Sequence, residues 1–154
     1  MRILRTAALG AGVVMAAAAA VSTQSAATSD GLLMKSALFT WAAVPEQPTE
    51  QGGRRTVFRA PTATLDELEY HTTMLKPGAS PHAPHTHQNE ELIIVKEGAV
   101  EAYVNGEWQP APTGSLIFFA SNVPHTVRNT GTVPARYHVV NWAALGSKKK
   151  PEAK

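Results

Sequence analysis

The chain contains no cysteine. No disulfide can staple it and no lipid can be attached through a thiol, so its stability has to come from a packed core or from a bound ion. Charge is sparse as well, at 17% of residues. The longest apolar run, TAALGAGVVMAAAAAV, is Ala- and Gly-rich and falls short of the roughly 20 residues that span a bilayer as a helix. No amphipathic helical stretch follows it.

A basic excess is missing too, once its sources are located. Residues 1–27 hold Arg2 and Arg5 and no acid, and the remainder has 12 basic and 12 acidic residues. Lys148, Lys149, Lys150 and Lys154 gather at the end against Glu152, so the body without residues 148–154 carries 8 basic and 11 acidic groups. That balance argues against a nucleic-acid surface. Residues 146–154 read as a solvated, disordered basic tail.

The start, MRILR, then the apolar run, then STQSAATSD, has the three parts of a secretory signal peptide. Ser25 and Ala27 predict a cut before Thr28, and cuts after Ala20 or Ser22 also satisfy the small-x-small rule. The expected location is therefore periplasmic or extracellular, with no stable membrane insertion after cleavage. At 154 residues and 44% apolar content, the chain suits one core. The expected division is a signal peptide (1–27), an N-terminal extension (28–60), a β-barrel domain (61–145) and the tail (146–154).

Within the extension, ALFTW (37–41) reads as a short strand, VPEQPTEQGGRR as an irregular connection, and residues 56–59 as a second short strand. From Leu68 onward short β-rich runs alternate with turn signals: LEYHTTML, EELIIVK, AVEAYV, EWQ, SLIFF, HTVRN and RYHVVNWA. This spacing predicts an all-β sandwich or barrel. Asn105-Gly106 predicts a type I′ hairpin, because both positions tolerate positive φ. ELIIV is apolar on both faces and predicts a strand covered on both sides or lining a closed interior.

Polar chemistry concentrates in PHAPHTHQNEE, residues 81–91, which holds three of the six histidines. His85 and His87 are two apart, so on an extended chain both face one way, and imidazole is the commonest metal ligand near neutral pH. Glu91 shares their parity but would lie roughly 13 Å beyond His87 on a straight strand. It reaches a common ion only if the chain turns back at Gln88-Asn89-Glu90, where Asn89 is a good turn residue.

The stretch Gly78, six residues, His85-Thr86-His87, three residues, Glu91, six residues, Gly98 resembles the first motif of the cupin superfamily, with one residue more between Gly78 and His85. Gly114-SLIFF-Ala120-Ser121-Asn122-VP-His125-TVR-Asn129 resembles the second, with Ala120 for the usual proline and Asn122 for the usual glycine. The resemblance covers about residues 78–129. It implies a double-sheet jelly-roll barrel in which His85, His87, Glu91 and His125 ligate one divalent transition metal, with Gly98, Gly114 and Asn129 at structural turns. Mn, Fe, Ni, Co, Zn and Cu all remain compatible with such a donor set.

Glu90 has the opposite parity to Glu91 and is read as facing solvent or lying behind the ligands. Glu90 and His82 are the only nearby candidates for a general base, His82 being held between Pro81 and Pro84. His71 and His138 fall inside strands without ligand-spaced partners and read as satisfied strand histidines. Phe118, Phe119, Tyr103, Trp108, Tyr137 and Trp142 are candidate pocket walls or core.

A metal with open positions can bind a small oxygen-rich metabolite, and the expected function is an enzyme working by dioxygen-dependent oxidation or by metal-assisted isomerisation, decarboxylation or hydrolysis. The alternative is a non-catalytic exported binding protein for metal and a small ligand. A third reading is a homodimerisation module that pairs through ALFTW as an edge strand.

Overall fold

The computed structural model describes residues 33–148. The expected signal peptide, Lys149, Lys150 and Lys154 lie outside them. Nine strands follow one three-residue turn of 3-10 helix, Trp41–Ala43. They are β1 (Gln47–Thr49), β2 (Gly52–Ala60), β3 (Leu65–Leu75), β4 (Glu90–Glu97), β5 (Ala99–Val104), β6 (Glu107–Pro112), β7 (Leu116–Phe119), β8 (Thr126–Arg128) and β9 (Ala135–Ala144). Every pairing is antiparallel, in a six-stranded sheet ordered β1-β2-β3-β9-β4-β7 and a three-stranded sheet ordered β6-β5-β8.

Alternation builds the interior. On β3 and β9 every second residue is buried: Glu69, His71, Thr73 and Leu75 on one strand, Ala135, Tyr137, Val139, Asn141 and Ala143 on the other. Registers carry this across the sheet in rows. Glu69, Asn141, Glu91 and Phe119 share one row, and His71, Val139, Ile93 and Ile117 the next. Below them come Thr73, Tyr137 and Val95. The lower rows join Leu75, Val100, Ala102, Ala111 and Val127 in one apolar cluster drawn from both sheets. Each fully buried Leu, Ile or Val there stabilises the fold by about 1.5–3 kcal/mol relative to exposure. The barrel thus has an apolar floor and a polar mouth.

The Asn105-Gly106 hairpin forms as expected, with φ of 53° and 89°. ALFTW does not form a strand. Phe39 packs on Phe58 at 5.2 Å between ring centroids, Trp41 meets His138 edge-on at 6.2 Å, and Arg55 Nη1 donates to the carbonyls of Trp41 and Val44, each at 2.7 Å. One guanidinium takes the place of a strand ladder, and the segment straps the outer face of the larger sheet. It is not the pairing edge expected for a homodimer.

The connection expected to be irregular is a hairpin instead. β1 and β2 pair from Gln47↔Arg54 to Thr49↔Gly52, and β2 continues against β3. Gly52 is required there, because a Cβ would sit 2.1 Å from the Met74 carbonyl oxygen, and only a residue without one lets the strands approach so closely. The expected boundary at residue 60 falls between two neighbouring strands of one sheet. ELIIV is covered on one side only: Ile93 and Val95 are buried, whereas Ile94 is 37% exposed and stands near exposed Leu116 and Phe118. No helix among the described residues is long and apolar enough to cross a membrane.

Candidate metal centre

The histidine loop is stitched to the residues on both sides of β8 at three points. Gly78 N–H donates to the Asn129 carbonyl at 2.8 Å and Asn129 N–H to Ala79 at 2.9 Å. His85 and His125 exchange both backbone hydrogen bonds, at 3.2 and 3.0 Å, and Asn122 N–H donates to the His87 carbonyl at 2.8 Å. Asn122 makes this bond with φ of 60°, the left-handed turn in which Asn substitutes for Gly. Residues 78–85 are longer than the 125–129 segment they run against, and the surplus SPHAP loop brings Pro81 and His82 to the rim of the cavity below.

This stitching brings His85, His87 and His125 together, with one nitrogen from each lying within 4.8 Å of the others. His87 Nδ1 is 2.8 Å from the Asn89 carbonyl and His125 Nδ1 is 2.8 Å from the Val123 carbonyl. A carbonyl only accepts, so each Nδ1 carries a proton, and in the neutral ring each Nε2 presents a lone pair. Those two Nε2 atoms face each other at 3.2 Å. Opposed lone pairs at that distance call for a cation or a proton between them. His85 Nδ1 is buried without a hydrogen-bond partner. Burial, followed by the nearby His82, His125 and His87 rings, pushes the His85 imidazole below its ordinary value.

Glu91 lines the same cavity, its Oε2 3.7 Å from His87 Nε2. Asn141 Nδ2 donates to Glu91 Oε2 at 3.1 Å, and Asn89 Nδ2 donates to Asn141 Oδ1 and, at 2.9 Å, to Glu67 Oε1. The three converging imidazoles are a donor set that fits a divalent transition metal, and the Glu91 carboxylate stands beside one of them, outside that cluster.

The far end of this relay holds a charge cluster. Glu67 takes Arg59 Nε at 2.9 Å and Lys148 Nζ at 2.6 Å, and the Lys148 backbone N–H donates to Asp66 at 2.9 Å. Lys148, expected in a disordered tail, is held on both counts. Burial pushes the Glu67 carboxyl up, but hydrogen bonds from Arg59, Lys148 and Asn89 and the Arg59 charge outweigh it and bring it from 4.5 to about 2. A carboxyl depressed on folding adds stability that is complete above its unfolded value and is lost as the pH falls through the folded one. Glu67→Gln is therefore expected to flatten the loss of melting temperature between about pH 4.5 and pH 2, as followed by circular dichroism. An unchanged acid limb would remove Glu67 from that role.

The remaining candidates divide. Glu90 Oε2 accepts from Trp142 Nε1 at 2.9 Å and Glu90 does not line the cavity, as its parity dictates. His82 does line it, with its ring 4.0 Å from that of His85. His138 is outside, its Nδ1 2.6 Å from the Tyr70 hydroxyl. Phe119 and Tyr137 are walls, and Phe119 stacks on His125 at 4.4 Å.

Arg54, Glu69 and Asn141, given no role from the sequence, also line the cavity of about 320 Å³, as does His71, which the sequence presents as a satisfied strand histidine. Glu69, His71 and Asn141 lie at inward positions of β3 and β9. The signal was present, since Glu69 and His71 share the parity of buried Leu75.

Residues 71–141 match the Cupin_2 family, the cupin domain. Over 72 residues the chain is 32% identical to the HTH-type transcriptional regulator SutR of Escherichia coli K12, a stretch covering 46% of this chain and 40% of that one. The chain therefore spans less than half the length of that curated relative. Among solved structures it is similar to an RmlC-like cupin from Shewanella frigidimarina, with a TM-score of 0.58, 17% identity, and 72% and 95% of the two chains covered. It is also similar to a predicted oxalate decarboxylase from Thermotoga maritima, with a TM-score of 0.55, 17% identity, and 70% and 99% covered. At these identities the likeness concerns the fold. Two antiparallel sheets closed over one core, a histidine cluster at their mouth and the family match agree: residues 71–141 of the chain carry a cupin domain.

Proposed function

We propose that this cupin is a metal-dependent enzyme acting on a small oxygen-rich metabolite, with His85, His87, Glu91 and His125 holding one divalent transition metal. The observation that carries the proposal is the pair of Nε2 lone pairs facing each other at 3.2 Å, each fixed by a carbonyl behind its ring. When bound, the ion supplies Lewis acidity toward a ligand oxygen. The chain supplies the rest. Asn141 orients the Glu91 carboxylate, Phe119 and Tyr137 wall the cavity, and His82 stands at its rim.

Elemental analysis of protein purified without chelators tests this reading. Wild type is expected to carry about one ion per chain and His85→Ala and Glu91→Ala far less, while Asn141→Ala keeps the ion with affinity weakened roughly 10–100-fold. Metal in wild type no higher than in His85→Ala would refute the centre.

The likeness to the Escherichia coli regulator favours a second reading, a non-catalytic cupin that binds metal and a small ligand. Metal-dependent stabilisation by a ligand without any turnover would decide for it. We further place the protein outside the cytoplasm on the signal-peptide pattern of residues 1–27. N-terminal sequencing of exported protein, expected to start at Thr28, checks that assignment.

A further inference from the structure

On the β3 side of the cavity lie Arg54, Glu69 and His71, to which nothing above gives a role. Glu69 and Glu91 occupy one inward row with Asn141 between them. Neighbouring strands are about 4.8 Å apart, so the two glutamate backbones stand roughly 10 Å apart across the cavity wall. A small molecule held at the histidines reaches both sides of the same 320 Å³ cavity.

Glu69 and His71 are each only 7% exposed. Glu69 Oε1 is 3.0 Å from His71 Nδ1 and 2.5 Å from Arg54 Nη2, and Arg54 Nη2 is 3.1 Å from His71 Nδ1. Two tautomers of His71 divide this triangle differently: with Nδ1 protonated, both His71 and Arg54 donate to Glu69 Oε1, and with Nδ1 bare it accepts from Arg54 while facing the carboxylate oxygen without a hydrogen. Burial pushes the Glu69 carboxyl up, but the hydrogen bond from His71, the charge His71 carries when its ring is protonated, and the charges of Arg54 and Arg59 bring the group below its ordinary value. An ionised carboxylate only accepts, so Arg54 and His71 Nδ1 both turn hydrogens toward it. In the neutral ring, Nε2 then carries the lone pair.

We propose that Glu69 and His71 are the acid–base unit of this cavity, with His71 Nε2 exchanging a proton with the carbon beside the carbonyl of a small α-hydroxy carbonyl compound held at the histidine cluster. This rests on the metal-centre reading given above. The C–H bond breaks, its hydrogen passes to Nε2 as a proton, and the bonding pair stays on the substrate as an enolate. The imidazolium so formed is paired with the Glu69 carboxylate, so no unpaired charge is left buried. Return of the proton to the same carbon gives solvent exchange, and return to the former carbonyl carbon, with the hydroxyl proton passing between the two adjacent oxygens, gives the isomer. Neither outcome needs an oxidant or a co-reactant. Glu69 is the positioning residue, since it fixes the tautomer and supports the charge.

The test uses the full chain, loaded with the metal found in it, in deuterated buffer with dihydroxyacetone as the probe. Wild type is expected to add deuterium to the probe, read by mass spectrometry. His71→Gln is expected to slow this by about 100-fold or more, with its metal content unchanged. In selectively labelled protein, the ring ¹⁵N shifts should place the proton on Nδ1 of His71, and Glu69→Ala should yield a mixture of tautomers. No deuterium uptake by metal-loaded wild type, equal uptake by His71→Gln, or loss of metal from His71→Gln overturns the assignment. A wild-type chain that holds no metal refutes the metal-centre reading instead, and the tautomer measurement, which needs no metal, then decides the dyad by itself.

Discussion

Adding back a divalent transition metal to chelator-stripped protein is expected to raise its melting temperature, and the rise is expected to vanish in His125→Ala. A ligand that binds only the folded state stabilises it by RT ln(1 + [L]/Kd), about 2.7 kcal/mol at a free concentration of 100 Kd. For a domain of this size that corresponds to roughly 10 °C. His125 is the informative position because its ligand nitrogen comes from the second motif, far in sequence from His85 and His87 but joined to them by the His85–His125 backbone pair. The substitution also removes a ring that is 1% exposed and stacked on Phe119, so the metal-free variant melts below the metal-free wild type. The decisive quantity is the increment produced by metal. An increment in His125→Ala as large as in wild type would show that the ion stabilises the fold from elsewhere.

Asn129→Ala is expected to destabilise the fold by about 3 kcal/mol while leaving the metal stoichiometry unchanged at low temperature. Asn129 is 1% exposed. Its Nδ2 donates to the carbonyls of Leu75 at 3.1 Å and Val133 at 2.9 Å, and its Oδ1 accepts from Gly131 N–H at 3.0 Å. Alanine leaves these backbone groups without that partner, at a cost of about 1–3 kcal/mol for each one kept from water. Urea unfolding checks the prediction: the midpoint should fall with the slope unchanged. A loss under about 1 kcal/mol would mean that water replaces the side chain.

The clustering of His85, His87 and His125 was legible in the sequence because these residues sit at fixed offsets on either side of turns that the sequence also marks. Asn122 and Asn105-Gly106 name backbone conformations directly, and the structure gives each of them positive φ. What one sequence does not carry is register across strands. Glu69 and His71 are visible as polar residues at inward parity, but that they share rows with Asn141, Glu91, Val139 and Ile93 depends on how β3, β9 and β4 align. The two misread segments failed for local reasons. ALFTW has the composition of a strand yet spends its aromatics on Phe58 and His138 and its carbonyls on Arg55. Gly52-Gly53 looks like a break but is where β2 passes closest to β3.

The layering of the larger sheet separates two things that a single mutation would otherwise change together. The upper row carries Glu91 and Glu69, the next carries His71 beside Val139 and Ile93, and the rows below carry the rest of the apolar cluster that joins the sheets. That middle layer sets the depth of the vessel. Trimming Val139 lowers its base by a methyl group or two, and enlarging it raises the base, while Glu69 and Glu91 keep their places in the row above. A barrel built this way can change the size of molecule it accepts by drift at two aliphatic positions, without first passing through a form that has lost its chemistry.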